Sequence, residues 1–129
     1  MRLQKFFLLI LFIGGTLIAC NSSAQNSSNL SVNDFEKGVK KPNVQVLDVR
    51  TAGEYETGHL KNAVLADWTN QEDFVKKVQK LDKSKPVYTY CLVGRRSAAA
   101  AKWLTTKGYK VYNMDGGIAA WKKAGKPVE

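Results

Sequence analysis

The chain has 129 residues, 44% of them hydrophobic, with two cysteines and a formal net charge of +9. This length and the lack of internal repeats exclude a multidomain or repeat protein, so we expect one compact domain. The positive charge favours anionic partners such as lipid headgroups or small oxyanions. We do not expect nucleic acid as a partner, because the lysines are spread along solvent faces and are not interleaved with aromatic residues.

The first 19 residues have the layout of a secretory signal peptide. Residues 1–5 are basic, an apolar run covers residues 6–13, and small residues precede Cys20. The apolar run is too short for a confident membrane-spanning helix. Residues 17–20, Leu-Ile-Ala-Cys, resemble the bacterial lipobox, in which the cysteine is lipidated and becomes the first residue of the mature protein. The alternatives are an uncleaved anchor and an ordinary signal peptide.

The segment after Cys20 is polar and low in complexity. We therefore expect residues 20–30 to form the lipidated cysteine and a flexible tether, and residues 31–129 to form the domain. The lipid anchor implies an exported protein that faces the periplasm at the bacterial cell envelope. Asn21 stands where an aspartate can mark inner-membrane retention, which favours the outer membrane.

Helical and strand patterns alternate through the domain. Helix starts are predicted at Ser31, Asn70, Ser97 and Ile118. Strands are predicted at residues 44–49, 64–66, 86–90 and 109–113. Gly108 and Gly125 are placed to end the last two helices. This alternation favours parallel strand pairing, and so an α/β domain with a mostly parallel central sheet flanked by helices.

Cys91 lies between a predicted strand and a predicted helix. Unpaired backbone N–H groups and the positive end of a helix dipole favour an anion there, and Arg95 and Arg96 add positive charge. Such surroundings lower the pKa of a cysteine, so we expect a nucleophilic thiolate. If Cys20 is lipidated, Cys91 has no disulfide partner, which favours chemistry at its sulfur. The alternative is a buried cysteine that serves only as a small apolar residue.

Three segments of the domain, taken in order, resemble the single-domain rhodaneses, a family of sulfurtransferases, and most of all their small periplasmic type. These segments are residues 47–50 with Glu54 and 58–60, residues 91–97, and residues 113–118 with Trp121. The resemblance implies a rhodanese-like domain that forms a persulfide on Cys91. Its sulfur would come from a small anionic donor such as thiosulfate and would pass to a thiol or protein acceptor.

The resemblance also implies roles for individual residues. Cys91 would be catalytic, and the substrate would be bound by Leu92, Val93, Gly94, Arg95, Arg96 and Ser97. Arg96 would face the anionic donor and Arg95 the solvent, although the sequence leaves open which arginine turns inward.

Other residues match the structural signature of the family, namely Asp48, Arg50, Glu54, His59, Gly116 and Gly117. We expect His59 to support the scaffold, since an already ionised thiolate needs no general base. No His, Cys and carboxylate cluster has metal-ligand spacing, so we expect neither metal nor cofactor.

Two other functions compete with this hypothesis. A cysteine phosphatase or arsenate reductase would have five residues between the cysteine and the arginine, whereas four separate Cys91 from Arg96. A membrane-tethered sulfur carrier or binding module with little thiosulfate turnover is the second alternative.

Overall fold

The computed structural model describes residues 27–129. Its elements in chain order are β1 (Ser28–Leu30), α1 (Val32–Val39), β2 (Gln45–Asp48), α2 (Ala52–Glu56), β3 (Val64–Leu65), α3 (Gln71–Val78), β4 (Val87–Tyr90), α4 (Arg95–Thr106), β5 (Val111–Met114) and α5 (Gly117–Lys123). The strands form one sheet in the order β1-β5-β4-β2-β3, and every neighbouring pair is parallel. The predicted single α/β domain is confirmed, with a sheet that is parallel throughout.

Helices cover both faces of the sheet because its strands carry apolar residues on each side. In β2, Leu47 belongs to the cluster packed under α3 and α4, and Val46 to the cluster packed under α1 and α5. Trp68 and Trp103 pack edge-on against Phe74 in the first cluster. Within residues 27–129, no helix is long and apolar enough to cross a membrane.

Side-chain caps begin two of the helices as predicted. The Ser31 hydroxyl accepts a hydrogen bond from the Asp34 amide at 3.2 Å at the start of α1. The Asn70 side chain accepts one from the Asp73 amide, also at 3.2 Å, at the start of α3. These contacts satisfy amide groups that have no partner inside the helix.

The predicted start of α4 at Ser97 is wrong. The helix begins at Arg95, and its N-cap is Gly94, whose φ of +99° is a left-handed conformation that glycine adopts without strain. Ser97 therefore lies inside the first turn, and its hydroxyl bonds to the sulfur of Cys91 and not to the helix backbone. The helix ends before Gly108, as predicted.

The end of the expected tether needs a correction. Residues 28–30 form strand β1, which pairs with β5, and the Leu30 carbonyl accepts a hydrogen bond from the Asp115 amide at 2.9 Å. The polar sequence Ser-Asn-Leu has no strand pattern of its own, and pairing with the edge of β5 makes it extended. Cys20, the signal peptide and the rest of the tether lie outside the described residues.

Candidate active site

Cys91 directly follows the central strand β4 at the carboxyl edge of the sheet, where parallel sheets commonly place their sites. Its side chain is 1% exposed. The Gly94 amide donates to its Sγ at 3.1 Å, and the Ser97 hydroxyl donates to it at 3.3 Å. A four-residue turn, residues 91–94, thus curls around the sulfur before α4 begins.

Two opposing effects act on the pKa of Cys91. Burial raises it, but hydrogen bonds from the Ser97 hydroxyl and from the backbone N–H groups of Ser97, Gly94 and Val93 outweigh burial. The pKa of the thiol is therefore held below its ordinary value. This cradle favours negative charge on the sulfur.

The start of α5 holds the same turn through backbone hydrogen bonds. The Ile118 amide donates to the Cys91 carbonyl at 2.9 Å, and the Ala119 amide donates to the Leu92 carbonyl at 3.0 Å. Gly117 permits this approach, because its φ is +59° and a Cβ on it would lie 2.5 Å from the carbonyl oxygen of Cys91. The two expected signature glycines thus lie at the turn into α5, with Gly116 as its N-cap.

The two arginines at the start of α4 have different surroundings. Arg95 is exposed. Arg96 is partly buried and forms two hydrogen bonds to the Glu54 carboxylate, at 2.7 and 2.8 Å. Glu54 raises the pKa of Arg96 against the effect of burial, and the Cys91 sulfur adds to the rise. Of the two, Arg96 is therefore the arginine whose direction another side chain fixes.

Glu54 is itself held in place by the start of α2. Thr51 and Glu54 form a capping box, in which the Thr51 hydroxyl accepts from the Glu54 amide and the Glu54 carboxylate accepts from the Thr51 amide. The guanidinium of Arg96 lowers the pKa of Glu54 to about 2 against the effect of burial, and Thr51 adds to the decrease. The sequence pattern Thr-x-x-Glu could have predicted this cap, whereas its contact with Arg96 depends on the fold.

The rhodanese-like domain model matches residues 31–124. The chain belongs to the rhodanese-like domain family. It is 36% identical over 85 residues to the thiosulfate sulfurtransferase GlpE of Coxiella burnetii, covering 65% of this chain and 77% of that protein. It is 37% identical over 97 residues to the tRNA uridine(34) hydroxylase of Cytophaga hutchinsonii, covering 73% of this chain but only 31% of that protein.

A solved structure has the same fold. The rhodanese-related protein from Thermoplasma volcanium superposes with a TM-score of 0.70 at 28% identity, covering 79% of this chain and 97% of that one. The chain spans about a third of the length of the tRNA uridine(34) hydroxylases that it matches. The similarity to these hydroxylases therefore concerns one domain of a longer protein.

Asp48 and Arg50 lie inside this rhodanese-like domain beside the site. The Nη2 atom of Arg50 lies 2.7 Å from an Asp48 oxygen and donates to the Gly58 carbonyl, also at 2.7 Å. Arg50 is 2% exposed, and its guanidinium lies over the ring of Tyr90. The Tyr90 hydroxyl accepts a hydrogen bond from the Leu60 amide. These contacts bind the Nε and Nη2 atoms of Arg50 to the scaffold.

His59 is likewise engaged by the scaffold. Its ring stacks on Tyr55 with 3.8 Å between centroids, and Nδ1 lies 3.1 Å from the Tyr55 carbonyl oxygen. Its backbone amide and carbonyl both bond to Glu129. In the part of the chain that the structure describes, no three His, Cys, Asp or Glu residues are grouped to hold a metal ion.

One supporting residue had not been assigned a site role from the sequence. The Asn113 amide donates to the Asn29 side chain at 3.1 Å and to the Gly94 carbonyl at 3.4 Å. It therefore connects β1 to the turn around Cys91. Neither contact has a local sequence signal, since the partners are 84 and 19 residues away along the chain.

Proposed function

We propose that this rhodanese-like domain is a sulfurtransferase that carries a sulfane sulfur as a persulfide on Cys91. The observation that carries the proposal is the polar cradle around a buried sulfur whose pKa is lowered. Such a cradle activates a thiolate nucleophile and accommodates the negative charge that a persulfide keeps. The similarity to a thiosulfate sulfurtransferase supports thiosulfate as a donor.

Sulfur transfer needs no proton, metal or external oxidant in its first step. The Cys91 thiolate attacks the outer sulfur of thiosulfate, a new S–S bond forms, and the old one breaks. The electron pair of the broken S–S bond leaves with sulfite. In the second step a nucleophilic acceptor attacks the outer sulfur of the persulfide, and Cys91 leaves as the thiolate. The charge stays on sulfur at the cradle throughout, which is the charge that the N–H and O–H donors stabilise.

An anionic donor must be attracted to this site. Arg96 retains 27% exposure of its side chain while Glu54 fixes its direction, and exposed Arg95 adds a second positive charge. The amino end of the twelve-residue helix α4 contributes its positive dipole. The short loop also favours sulfur chemistry over phosphate chemistry, because four residues separate Cys91 from Arg96 where a cysteine phosphatase would have five.

The test is the intact mass of the full chain after incubation with thiosulfate, next to a Cys91→Ser control that keeps Cys20. We expect the wild type to gain one sulfur atom that cyanide removes as thiocyanate, and the control to gain none. Lack of a gain in the wild type, or an equal gain in the control, would contradict the proposal. Sustained aryl phosphate hydrolysis that disappears in Cys91→Ala would instead support a phosphatase.

A second candidate is a carrier that exchanges sulfur with a protein partner and turns over thiosulfate poorly. It is favoured by two exposed apolar side chains beside the buried sulfur, Leu92 at 44% and Val93 at 55%. Apolar groups around a recessed reactive atom suit contact with a protein surface. Thiosulfate turnover as fast as transfer from a persulfidated protein would argue against this candidate.

We also propose that the chain is exported and lipidated at Cys20, with the domain in the periplasm and the anchor in the outer membrane. The support is the sequence of the first 20 residues. We expect Cys20→Ala to release the domain from membranes after signal cleavage. If this variant stays in the membrane fraction after cleavage, the anchor is not the lipid on Cys20.

A further inference from the structure

The lysines of the domain are concentrated at one end of the sheet. In a fully parallel sheet, every connection from a helix to the next strand lies at the amino ends of the strands. We call this end the lysine end, because its four helix-to-strand connections contain Lys40, Lys41, Lys61, Lys80, Lys83, Lys85, Lys107 and Lys110. Their only acidic residue is Asp82, whose carboxylate accepts hydrogen bonds from the amide and hydroxyl of Ser84.

The opposite end, which holds Cys91, has a different charge. Its strand-to-helix connections contain one arginine, the buried and paired Arg50, and two aspartates, Asp67 and Asp115. Arg95 and Arg96 follow in the first turn of α4. The positive charge of the connections therefore lies mainly at the lysine end of the sheet.

Pairing and helix dipoles do not account for these lysines. Among residues 27–129, only Lys40 of the eight has an ion-pair partner, Glu36 at 3.7 Å. A lysine in the last turn of a helix gains from the helix dipole, but that effect falls off within a turn. Lys61, Lys83 and Lys110 lie four or more residues beyond the preceding helix. The lysine end is thus an unneutralised cationic surface.

This surface is broad and also has apolar parts. A groove of about 740 Å³ lies between Lys41, Lys61 and Lys80, and the side chains of Val44 and Val64 line it as well. Two further cavities, of about 460 and 360 Å³, are lined by lysines of the same end. No residue of the 91–97 segment lines any of the three. Charges spread over several connections suit an extended anionic surface better than a single small ion.

The route of the chain indicates which surface this is. Strand β1 begins at Ser28 and runs parallel to β5, so the chain enters the domain at the lysine end. The sequence before that entry contains Cys20, the residue at which we place the lipid anchor. A membrane that holds the lipid on Cys20 would meet the lysines first, and Cys91 would lie at the far edge of the sheet.

We propose that the lysine end binds the anionic headgroup surface of a lipid bilayer and points Cys91 away from it. The apolar groove walls are available to lipid chains near the headgroups, and the lysines neutralise lipid phosphates. This proposal is independent of sulfur transfer, because binding to the bilayer uses no residue of the Cys91 cradle. It accounts for where the positive charge lies.

The test measures how the full chain partitions onto two kinds of vesicle, phosphatidylcholine alone and phosphatidylcholine with phosphatidylglycerol. The N-terminal segment is present on both, so the ratio of the two affinities reports the charge-dependent part. A lysine near an anionic surface contributes roughly a fivefold change in affinity. Lys61→Gln with Lys80→Gln should therefore lower that ratio by about twenty-five-fold, and added salt should lower it for the wild type.

The matched control removes the same charge elsewhere. Arg95→Gln, at the first residue of α4 and so at the Cys91 end, should change the ratio by less than about twofold, whereas Lys61→Gln alone should lower it about fivefold. Amine acetylation adds a readout without mutation, since anionic vesicles should protect Lys61 and Lys80 and leave Lys102 reactive. Equal binding of the wild type to both vesicles overturns the proposal. Equal loss for Arg95→Gln and Lys61→Gln also overturns it. So does capture by polyglutamate in the presence of excess anionic vesicles, which would assign the lysine end to an acidic protein.

Discussion

Removing the hydroxyl of Ser97 should change the reactivity of Cys91 in opposite directions at low and high pH. The hydroxyl is fully buried, donates to Sγ at 3.3 Å, and is the largest of the contacts that lower the pKa of the thiol. Ser97→Ala removes this donor and leaves the Gly94 amide in place. The pKa of Cys91 should therefore rise while the turn keeps its shape.

The size of the effect follows from the strength of one hydrogen bond to a charged acceptor. Such bonds contribute about 1.5 to 3 kcal/mol, and the weakness of sulfur as an acceptor indicates the lower end. About 1.4 kcal/mol corresponds to a tenfold loss of thiolate at a pH below both pKa values. A thiolate of higher pKa is also about threefold more nucleophilic. The variant should thus react about threefold more slowly in acid and about threefold faster in alkali.

The assay follows the rate of reaction with dipyridyl disulfide across pH, in chains that carry Cys20→Ala so that only Cys91 reacts. The wild-type and Ser97→Ala curves should cross. Ser84→Ala is the matched control, since the exposed Ser84 hydroxyl contacts only Asp82, and its curve should superimpose on the wild type. If the Ser97→Ala curve differs by one constant factor at every pH, the hydroxyl affects access to the sulfur and our reasoning about its charge is wrong.

Three further substitutions test the scaffold by urea denaturation. Gly117→Ala should lower the free energy of unfolding by about 2 kcal/mol or more, because the φ of Gly117 is +59° and an added Cβ would meet the backbone of the turn. Gly53→Ala is the control: Gly53 has open space around it, so this change should be neutral or stabilising. Asp48→Asn should cost about 3 to 5 kcal/mol by leaving buried Arg50 without its counter-charge, and a cost below about 1 kcal/mol would show that the pair is not needed. The folded-state pKa of Glu54 is about 2, lowered from 4.5. Its stabilisation is therefore complete above about pH 5 and is lost as the pH falls towards 2. Glu54→Gln should be less stable than the wild type by about 1 kcal/mol at pH 6 and equally stable near pH 2, and a gap that persists at pH 2 would exclude this titration as the cause.

Much of the fold could be predicted because its signals are local. The buried strands are short apolar runs, and α1 and α3 begin at capping side chains, so the alternation of elements and the parallel sheet follow from the sequence. Strand β1 could not be predicted in this way. Its three residues have no pattern, and only the exposed edge of β5 makes them extended.

The candidate site was predictable in position but not in contacts. The strand-to-helix junction placed Cys91, whereas Ser97 has two possible uses for its hydroxyl, a helix cap or a bond to sulfur, and only the fold decides between them. The direction of Arg96 is set by Glu54, which lies 42 residues earlier in the chain. Contacts of that separation have no signal in a single sequence.

The short strand β1 has a practical consequence for anyone who shortens this chain. A version cut to the family match at residues 31–124 would lose Ser28–Leu30 and uncover the backbone edge of β5. An uncovered edge is a template for pairing with another molecule, so the shortened protein should aggregate. Its Asn113 side chain would also lose its partner Asn29, close to the turn around Cys91. Low activity in such a fragment would then reflect self-association, and would say little about the chemistry of the intact protein.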